Sequence, residues 1–256
     1  MTTEVSSVCE IGLQRKQNQD AILAYQNAVR NFALFLVADG MGGYANGELA
    51  SGLIVSEIRK WLSLLEEQTD FASLPELLQS LRMKMAEINR TIWTKWSQKQ
   101  ICGSTCVILI LHHDAYGVYS VGDSRVYLSR DSRCIPVTRD DVWQNQQSIQ
   151  EKYSPEEMRD NPDYGKLTRA VGSRRALACS LRTDRLADGD LFALCSDGVY
   201  KMCSAQYLNQ ALVSNGTRNL DSLRDMIMRE VYRNGAKDNA SLILVRCSRR
   251  RTATDA

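Results

Sequence analysis

The chain has 256 residues, of which 44% are hydrophobic and 24% charged, and its formal net charge is +2. This composition is typical of a globular protein with a buried core, and so small a net charge argues against a nucleic-acid or anionic-membrane partner. The cysteines are scattered without a C-x-x-C pair, which argues against a zinc knuckle and a thioredoxin-like motif. No apolar run approaches the roughly 18 residues of a membrane helix, so we predict a cytoplasmic protein with reduced thiols.

Three apolar runs near the start of the chain predict β-strands. They cover residues 5–11, 21–25 and 32–38, and short polar turns separate them. Because parallel neighbours would need a long crossover connection, these turns favour antiparallel pairing. The third run leads directly into Asp39 and a glycine-rich segment, Gly40-Met41-Gly42-Gly43.

Helices and further strands follow in groups. Apolar residues recur at three- and four-residue spacing over residues 49–65 and 77–96, which predicts two amphipathic helices, the second with Pro75 near its start. Strands are predicted at residues 104–111, 118–121, 125–128, 134–137, 177–182, 191–195 and 240–247, and two more helices at 205–213 and 220–231. Clusters of strands with helix pairs between them favour an α+β layered domain.

The segment from residue 138 to residue 167 is polar and has no clear period, so we predict a long surface insertion. A short helix is expected within it at residues 155–159. We expect one domain over residues 1–247, followed by a basic, frayed tail at residues 248–256.

The apolar strand that ends in Asp39 has two interpretations. A carboxylate carried by a rigid strand, next to the exposed carbonyl of Gly40, suits a hard cation that prefers oxygen ligands. A strand followed by a tight turn, with Asp39 capping the next helix, explains this segment equally well. The segment alone does not separate the two.

Five aspartates share a similar position beside an apolar run: Asp20, Asp39, Asp123, Asp197 and Asp238. Each alone is an ordinary turn residue. Clustered together, they would repel one another and have raised pKa values unless a cation neutralised them. Because oxygen ligands select Mg²⁺, Mn²⁺ or Ca²⁺, the set predicts a site for such an ion. The two histidines, His112 and His113, are interpreted as hairpin residues.

Seven motifs occur in a fixed order along the chain: R-x-x-N-Q-D, V-A-D-G-M-G-G, G-S-T, V-G-D-S-R, L-T-R-A-V-G, S-D-G and D-N-A-S. Each is weak alone, but the ordered set strongly resembles the metal-dependent protein phosphatases (the PPM or type 2C family), in their compact bacterial branch. The resemblance implies an α-β-β-α sandwich, in which two antiparallel sheets lie face to face and helix pairs flank them. It also implies two Mn²⁺ or Mg²⁺ ions in a cleft at one end of the sandwich.

The resemblance assigns ligands to both ions. Asp39 would bridge them, and Asp197 and Asp238 would complete the protein ligands of the first. The carbonyl of Gly40 would bind the second ion, and Asp20 would lie beside it.

Further roles also follow from the resemblance. Arg15 would hold the substrate phosphate with its forked guanidinium, and Asp123 would serve a third, weaker ion. Residues 140–161 correspond to the variable flap beside the cleft.

Three residues depart from the pattern of the family. Gln19 stands at a position that is often Glu, which would leave the second ion with a less charged set of ligands. Met41 stands where the animal enzymes carry His, so no imidazole is available there as a general acid. Lys201 stands where some relatives add another carboxylate, which argues against a strong third ion site.

The resemblance implies a protein serine/threonine phosphatase that opposes a bacterial protein kinase and hydrolyses phosphoserine and phosphothreonine with a metal-activated water. The expected partners are phosphorylated proteins and a cognate kinase pathway, with no nucleic acid or membrane, and the expected state is a monomer. Two alternatives keep the fold: a switch phosphatase dedicated to one regulatory partner, and a non-catalytic relative that binds phosphoproteins. The sequence does not separate the general from the dedicated enzyme, whereas the intact Asp39, Asp197 and Asp238 argue against the non-catalytic relative.

Overall fold

Two antiparallel β-sheets lie face to face, and helices cover the outer face of each. The computed structural model describes residues 2–42, 46–68, 73–97, 102–214 and 219–248. The strands are β1 (Thr2–Glu10), β2 (Asp20–Asn27), β3 (Phe32–Gly42), β4 (Cys102–Ser104), β5 (Cys106–His112), β6 (Ala115–Val121), β7 (Arg125–Arg130), β8 (Arg133–Pro136), β9 (Ser180–Arg185), β10 (Leu191–Cys195) and β11 (Ala240–Ser248). One sheet has the order β1-β11-β10-β7-β8 and the other β2-β3-β5-β6-β9, with β4 paired to β3.

The helices form two outer layers and part of the insertion. They are α1 (Asn46–Glu66), α2 (Leu74–Ile92), α3 (Gln147–Gln150), α4 (Pro155–Arg159), α5 (Asp197–Tyr200), α6 (Ala205–Ser214) and α7 (Leu220–Arg233). Helices α1 and α2 pack on the sheet that contains β3, and α5, α6 and α7 pack on the sheet that contains β10. A third apolar cluster fills the space between the sheets. The predicted α-β-β-α sandwich is confirmed.

Strand β3 is buried on both faces. Leu34 and Leu36 point toward α1 and α2, while Phe35 and Val37 point into the space between the sheets. A strand with two buried faces needs apolar residues at every position, which explains why its sequence is a continuous apolar run. The strand is therefore a rigid support for Asp39, which is one of its residues.

The structure corrects several predicted boundaries. Strand β3 continues through Gly42, because Gly40–Gly42 pairs with β4, so Asp39 lies inside the strand and well before α1 begins at Asn46. The interpretation of Asp39 as a helix cap is therefore wrong. Ser248, assigned to the tail, is the last residue of β11. Gly43 of the glycine-rich motif and residues 249–256 of the predicted tail lie outside the described residues.

The two ends of the insertion at residues 138–167 lie next to each other. An isolated bridge joins Val142 to Leu167, and Thr168 N–H donates to the carbonyl of Asp141 at 2.8 Å. Helix α4 forms at the predicted residues, with a capping box between Ser154 and Glu157. In the described part of the chain, no helix has both the length and the apolar character needed to cross a membrane.

Candidate metal centre

The five aspartates lie together at one end of the sandwich, within electrostatic reach of one another. Asp20 and Asp39 are direct cross-strand partners in β2 and β3. Burial raises the pKa of the Asp39 carboxyl well above its usual value, and the charges of Asp20, Asp197, Asp123 and Asp238 raise it further. Strands from both sheets thus bring to one place the carboxylates that the sequence had predicted to cluster.

The end of β4 and the residue after it fix the backbone of Asp39. Ser104 Oγ and Thr105 N–H donate to the Asp39 carbonyl at 3.0 and 2.8 Å, and Asp39 N–H donates to Thr105 Oγ1 at 3.1 Å. Thr105 Oγ1 is in turn 2.7 Å from Ser124 Oγ, next to Asp123. The G-S-T motif, to which the sequence assigned no role, therefore connects the segments that carry Asp39 and Asp123.

Gly40 is required by close approach to α1. A Cβ at Gly40 would lie 2.2 Å from the carbonyl oxygen of Gly47 and 2.6 Å from that of Gln19. Gly40 N–H donates to the Gln19 carbonyl at 3.0 Å, and Ser51 Oγ donates to the same oxygen at 2.6 Å. The start of α1, β3 and the segment before β2 are thus held in direct contact around Gly40.

Asp20 has a buried oxygen without a well-formed hydrogen bond in the described part of the chain. Its side chain is 8% exposed, and Oδ2 accepts a hydrogen bond of 2.7 Å from Ser196 Oγ. Oδ1 is buried and makes no well-formed hydrogen bond among the described residues, although Ser241 lies close enough to lower the pKa of the carboxyl. Burial, together with the charges of Asp197 and Asp238, raises the pKa of Asp20 to about 6. A buried acceptor without a well-formed hydrogen bond is costly, and a cation would relieve that cost.

Arg15 and Asp238 form an ion pair at the mouth of the site. Arg15 Nη2 donates to Asp238 Oδ2 at 2.6 Å, with the side chains 51% and 34% exposed. Asn239 shapes the loop that carries Arg15: its Nδ2 donates to the carbonyls of Ile11 and Gln17, and its Oδ1 accepts from Gln19 N–H at 2.9 Å. The sequence identified the D-N-A-S motif but not this role of the asparagine.

Asp197 and Asp123 lie on the other side of the site. Lys201 Nζ donates to Asp197 Oδ2, and Tyr200 OH donates to Asp123 Oδ2 at 3.2 Å. The guanidinium of Arg125 stacks on the Tyr200 ring at 3.6 Å from its centroid. Burial and the charge of Asp197 raise the pKa of Asp123 to about 6.

The residues of this site have the chemistry to bind a divalent cation, although their side chains are not arranged as a complete coordination shell. In the described ranges, no three His, Cys, Asp or Glu side chains are arranged so that they could hold an ion as they stand, and Arg15 and Lys201 each occupy one carboxylate. The donors are all oxygens, and Asp20 Oδ1 makes no well-formed hydrogen bond within those ranges. Mg²⁺ and Mn²⁺ prefer such donors.

The histidines take no part in the site. His112 is paired with Phe32 at the opposite end of β3 from Asp39, and its ring contacts the ring of His113. His113 N–H donates to the carbonyl of Asn31 in the neighbouring turn. The interpretation of both as hairpin residues agrees with this placement.

Comparison with known proteins places these observations in one family. The family model of protein phosphatase 2C matches residues 14–239. A putative protein phosphatase 2C-type of Streptococcus pyogenes is 26% identical over 245 residues, which cover 94% of this chain and 96% of that protein. The serine/threonine phosphatase of S. agalactiae is 26% identical, with a TM-score of 0.83 over 95% of this chain and 99% of that one. The catalytic domain of PstP, solved with two manganese ions, is 24% identical, with a TM-score of 0.77 over 96% and 99% of the two chains.

Proposed function

Because this chain belongs to the protein phosphatase 2C family and is a serine/threonine protein phosphatase, we propose that it hydrolyses phosphoserine and phosphothreonine with two Mn²⁺ or Mg²⁺ ions. The observation that carries the proposal is the convergence of four aspartates from both sheets on Asp39, together with the buried Oδ1 of the adjacent Asp20, which makes no well-formed hydrogen bond among the described residues. Its substrates are phosphorylated proteins, and it opposes a bacterial serine/threonine kinase.

Asp39, Asp197 and Asp238, with the carbonyl of Gly40, would hold the two ions, and Asp20 would lie beside the second. When bound, two such ions lower the pKa of a water molecule and neutralise the phosphate that it attacks. The rigid strand under Asp39 and its bonds to Ser104 and Thr105 keep the carboxylate in place, which is what preorganised catalysis requires.

Arg15 would bind the phosphate of the substrate. Its guanidinium is half exposed and lies on Asp238, so it can turn to a phosphate once that carboxylate serves an ion. A forked guanidinium donates to two phosphate oxygens at once. With Met41 in place of an imidazole and both histidines at the far end of β3, the leaving alkoxide takes its proton from water.

Two ions fit the site better than three. Asp123, expected to serve a third and weaker ion, already accepts a hydrogen bond from Tyr200, and the charge of Lys201 acts on it as well. The function therefore depends on Asp39, Asp197 and Asp238 more than on Asp123.

The test is hydrolysis of a phosphothreonine peptide with Mn²⁺, with and without chelator. We expect Asp39→Asn and Asp238→Asn to lower kcat/KM by about 10³-fold or more while circular dichroism shows an intact fold. The matched control is Asp131→Asn, in the exposed turn between β7 and β8, which should leave the rate unchanged. Near-normal activity of either site variant would contradict the metal assignment.

A further inference from the structure

Lys201 places a positive charge inside the acidic site. Its Nζ lies 2.5 Å from Asp197 Oδ2, and its side chain is 55% exposed whereas that of Asp197 is 16% exposed. The local fold enforces this contact: Asp197 begins α5 and Lys201 follows its last residue, so the two are i,i+4 neighbours. Lys201 N–H donates to the Asp197 carbonyl at 2.9 Å, and Val199 between them is fully buried.

The ammonium group faces several carboxylates. Although burial opposes the effect, the hydrogen bond to Asp197 and the charges of Asp197, Asp123 and Asp39 raise the pKa of the Lys201 amine. Burial and the charge of Asp197 raise the pKa of Asp123, and the charge of Lys201 lowers it in part. Lys201 thus contacts Asp197 directly, and its charge acts on Asp123 without a direct contact.

We propose that Lys201 is a built-in counter-ion: it pairs with Asp197 in the metal-free protein, competes with divalent ions for that carboxylate, and disfavours the binding of a further ion beside it. This inference rests on the proposed function, because it requires Asp197 to be a metal ligand. A tethered ammonium needs no ion from solution, but it carries one charge instead of two. An arriving Mn²⁺ must therefore share or displace the Lys201 contact, which weakens its binding.

The proposal is tested by titrating MnCl₂ into the metal-free full chain in a calorimeter. Lys201→Met keeps the apolar stem and removes the charge, so we expect it to bind Mn²⁺ about three- to tenfold more tightly than the wild type, with an additional weak site. Structural damage would weaken binding rather than strengthen it. The matched control is Lys60→Met, which removes an exposed lysine from an i,i+3 ion pair with Glu57 on α1 and should leave the affinity unchanged.

A second measurement uses thermal unfolding. In chelator, Lys201→Met should unfold at a lower temperature than the wild type, because Asp197 and its neighbours lose their counter-ion. Mn²⁺ should then raise its unfolding temperature by more than it raises that of the wild type. Lys201→Gln should behave in the same way and serves as a second variant if Lys201→Met folds poorly.

The outcomes separate this proposal from the proposed function. If the wild type binds no Mn²⁺, the metal assignment fails and the role of Lys201 fails with it. If the wild type binds Mn²⁺ and neither Lys201 variant binds it more tightly than Lys60→Met does, only the role of Lys201 is overturned.

Discussion

Asp190, just before β10, and Asp20, the first residue of β2, are both buried aspartates, but their carboxylates are hydrogen-bonded to different degrees. Asp190 is 1% exposed and accepts hydrogen bonds from Arg130 Nε, Arg130 Nη2 and Ala187 N–H at 2.7, 2.6 and 2.8 Å. Asp20 accepts one well-formed hydrogen bond, from Ser196; Ser241 interacts with it more weakly, and its Oδ1 makes no well-formed hydrogen bond among the described residues. A fully bonded buried carboxylate stabilises the fold, whereas an unsatisfied one among like charges marks a place for a ligand.

The largest effect expected from this comparison is on stability at Asp190. Asp190→Asn removes the charge that pairs with Arg130, and we expect the free energy of unfolding to fall by about 3 kcal/mol. Urea denaturation should show the same loss with Mn²⁺ and with chelator, because the pair lies at the opposite end of β10 from Asp197. A loss of less than about 1 kcal/mol would show that the pair contributes little.

The next effect is on substrate binding at Arg15. Arg15→Ala removes the proposed phosphate contact, so we expect KM for a phosphopeptide to rise about tenfold with a smaller change in kcat. Steady-state kinetics at saturating Mn²⁺ measure both. Arg133→Ala, on the exposed strand β8, is the control and should change neither. An unchanged KM in Arg15→Ala would remove Arg15 from the site.

The smallest effect is expected at Asp20, where substitution should raise the free energy of unfolding, whereas substitution of Asp190 should lower it. Asp20→Asn removes one of several buried like charges, so the metal-free protein should gain about 1 kcal/mol in its free energy of unfolding. The same variant should bind Mn²⁺ more weakly. Urea denaturation in chelator and calorimetric titration give the two values. Destabilisation of the metal-free protein would mean that Asp20 acts like Asp190.

The fold could be predicted from the sequence wherever burial imposes a pattern. Strands β5 and β10 and the apolar part of β3 are buried, and α2 carries a regular apolar stripe, so their residues follow the patterns of buried strand and helix. Strand β9 is exposed throughout, and it was placed a few residues too early. The apolar residues that suggested it, Leu177 and Cys179, pack against the cluster under α1 and α2 instead.

Short elements were missed for a different reason. Strand β4 has three residues and α5 has four, which is too few for any period to show. The predicted strand at residues 104–111 therefore merged Ser104, the last residue of β4, with β5.

The site could be predicted only in part. The ordered motifs identified the five aspartates, because each sits beside a recognisable apolar run. They did not reveal that Arg15 and Lys201 lie on two of those carboxylates, or that Asn239 holds the loop of Arg15. Such contacts join residues far apart in the chain or depend on side-chain direction, and neither leaves a local pattern.

The pairing of β1 with β11 has a consequence for biosynthesis. In the described sheet, β1 has β11 as its neighbour, with Thr2 opposite Ser248, and Asn239 next to β11 holds the loop that follows β1. Of the strands in this sheet, a ribosome makes β1 first and β11 last. The nascent chain therefore carries an unpaired β1 until β11 has been synthesised, and chaperones have a reason to protect it. The loop that carries Arg15, the proposed phosphate ligand, is held by Asn239 only after that part of the chain emerges.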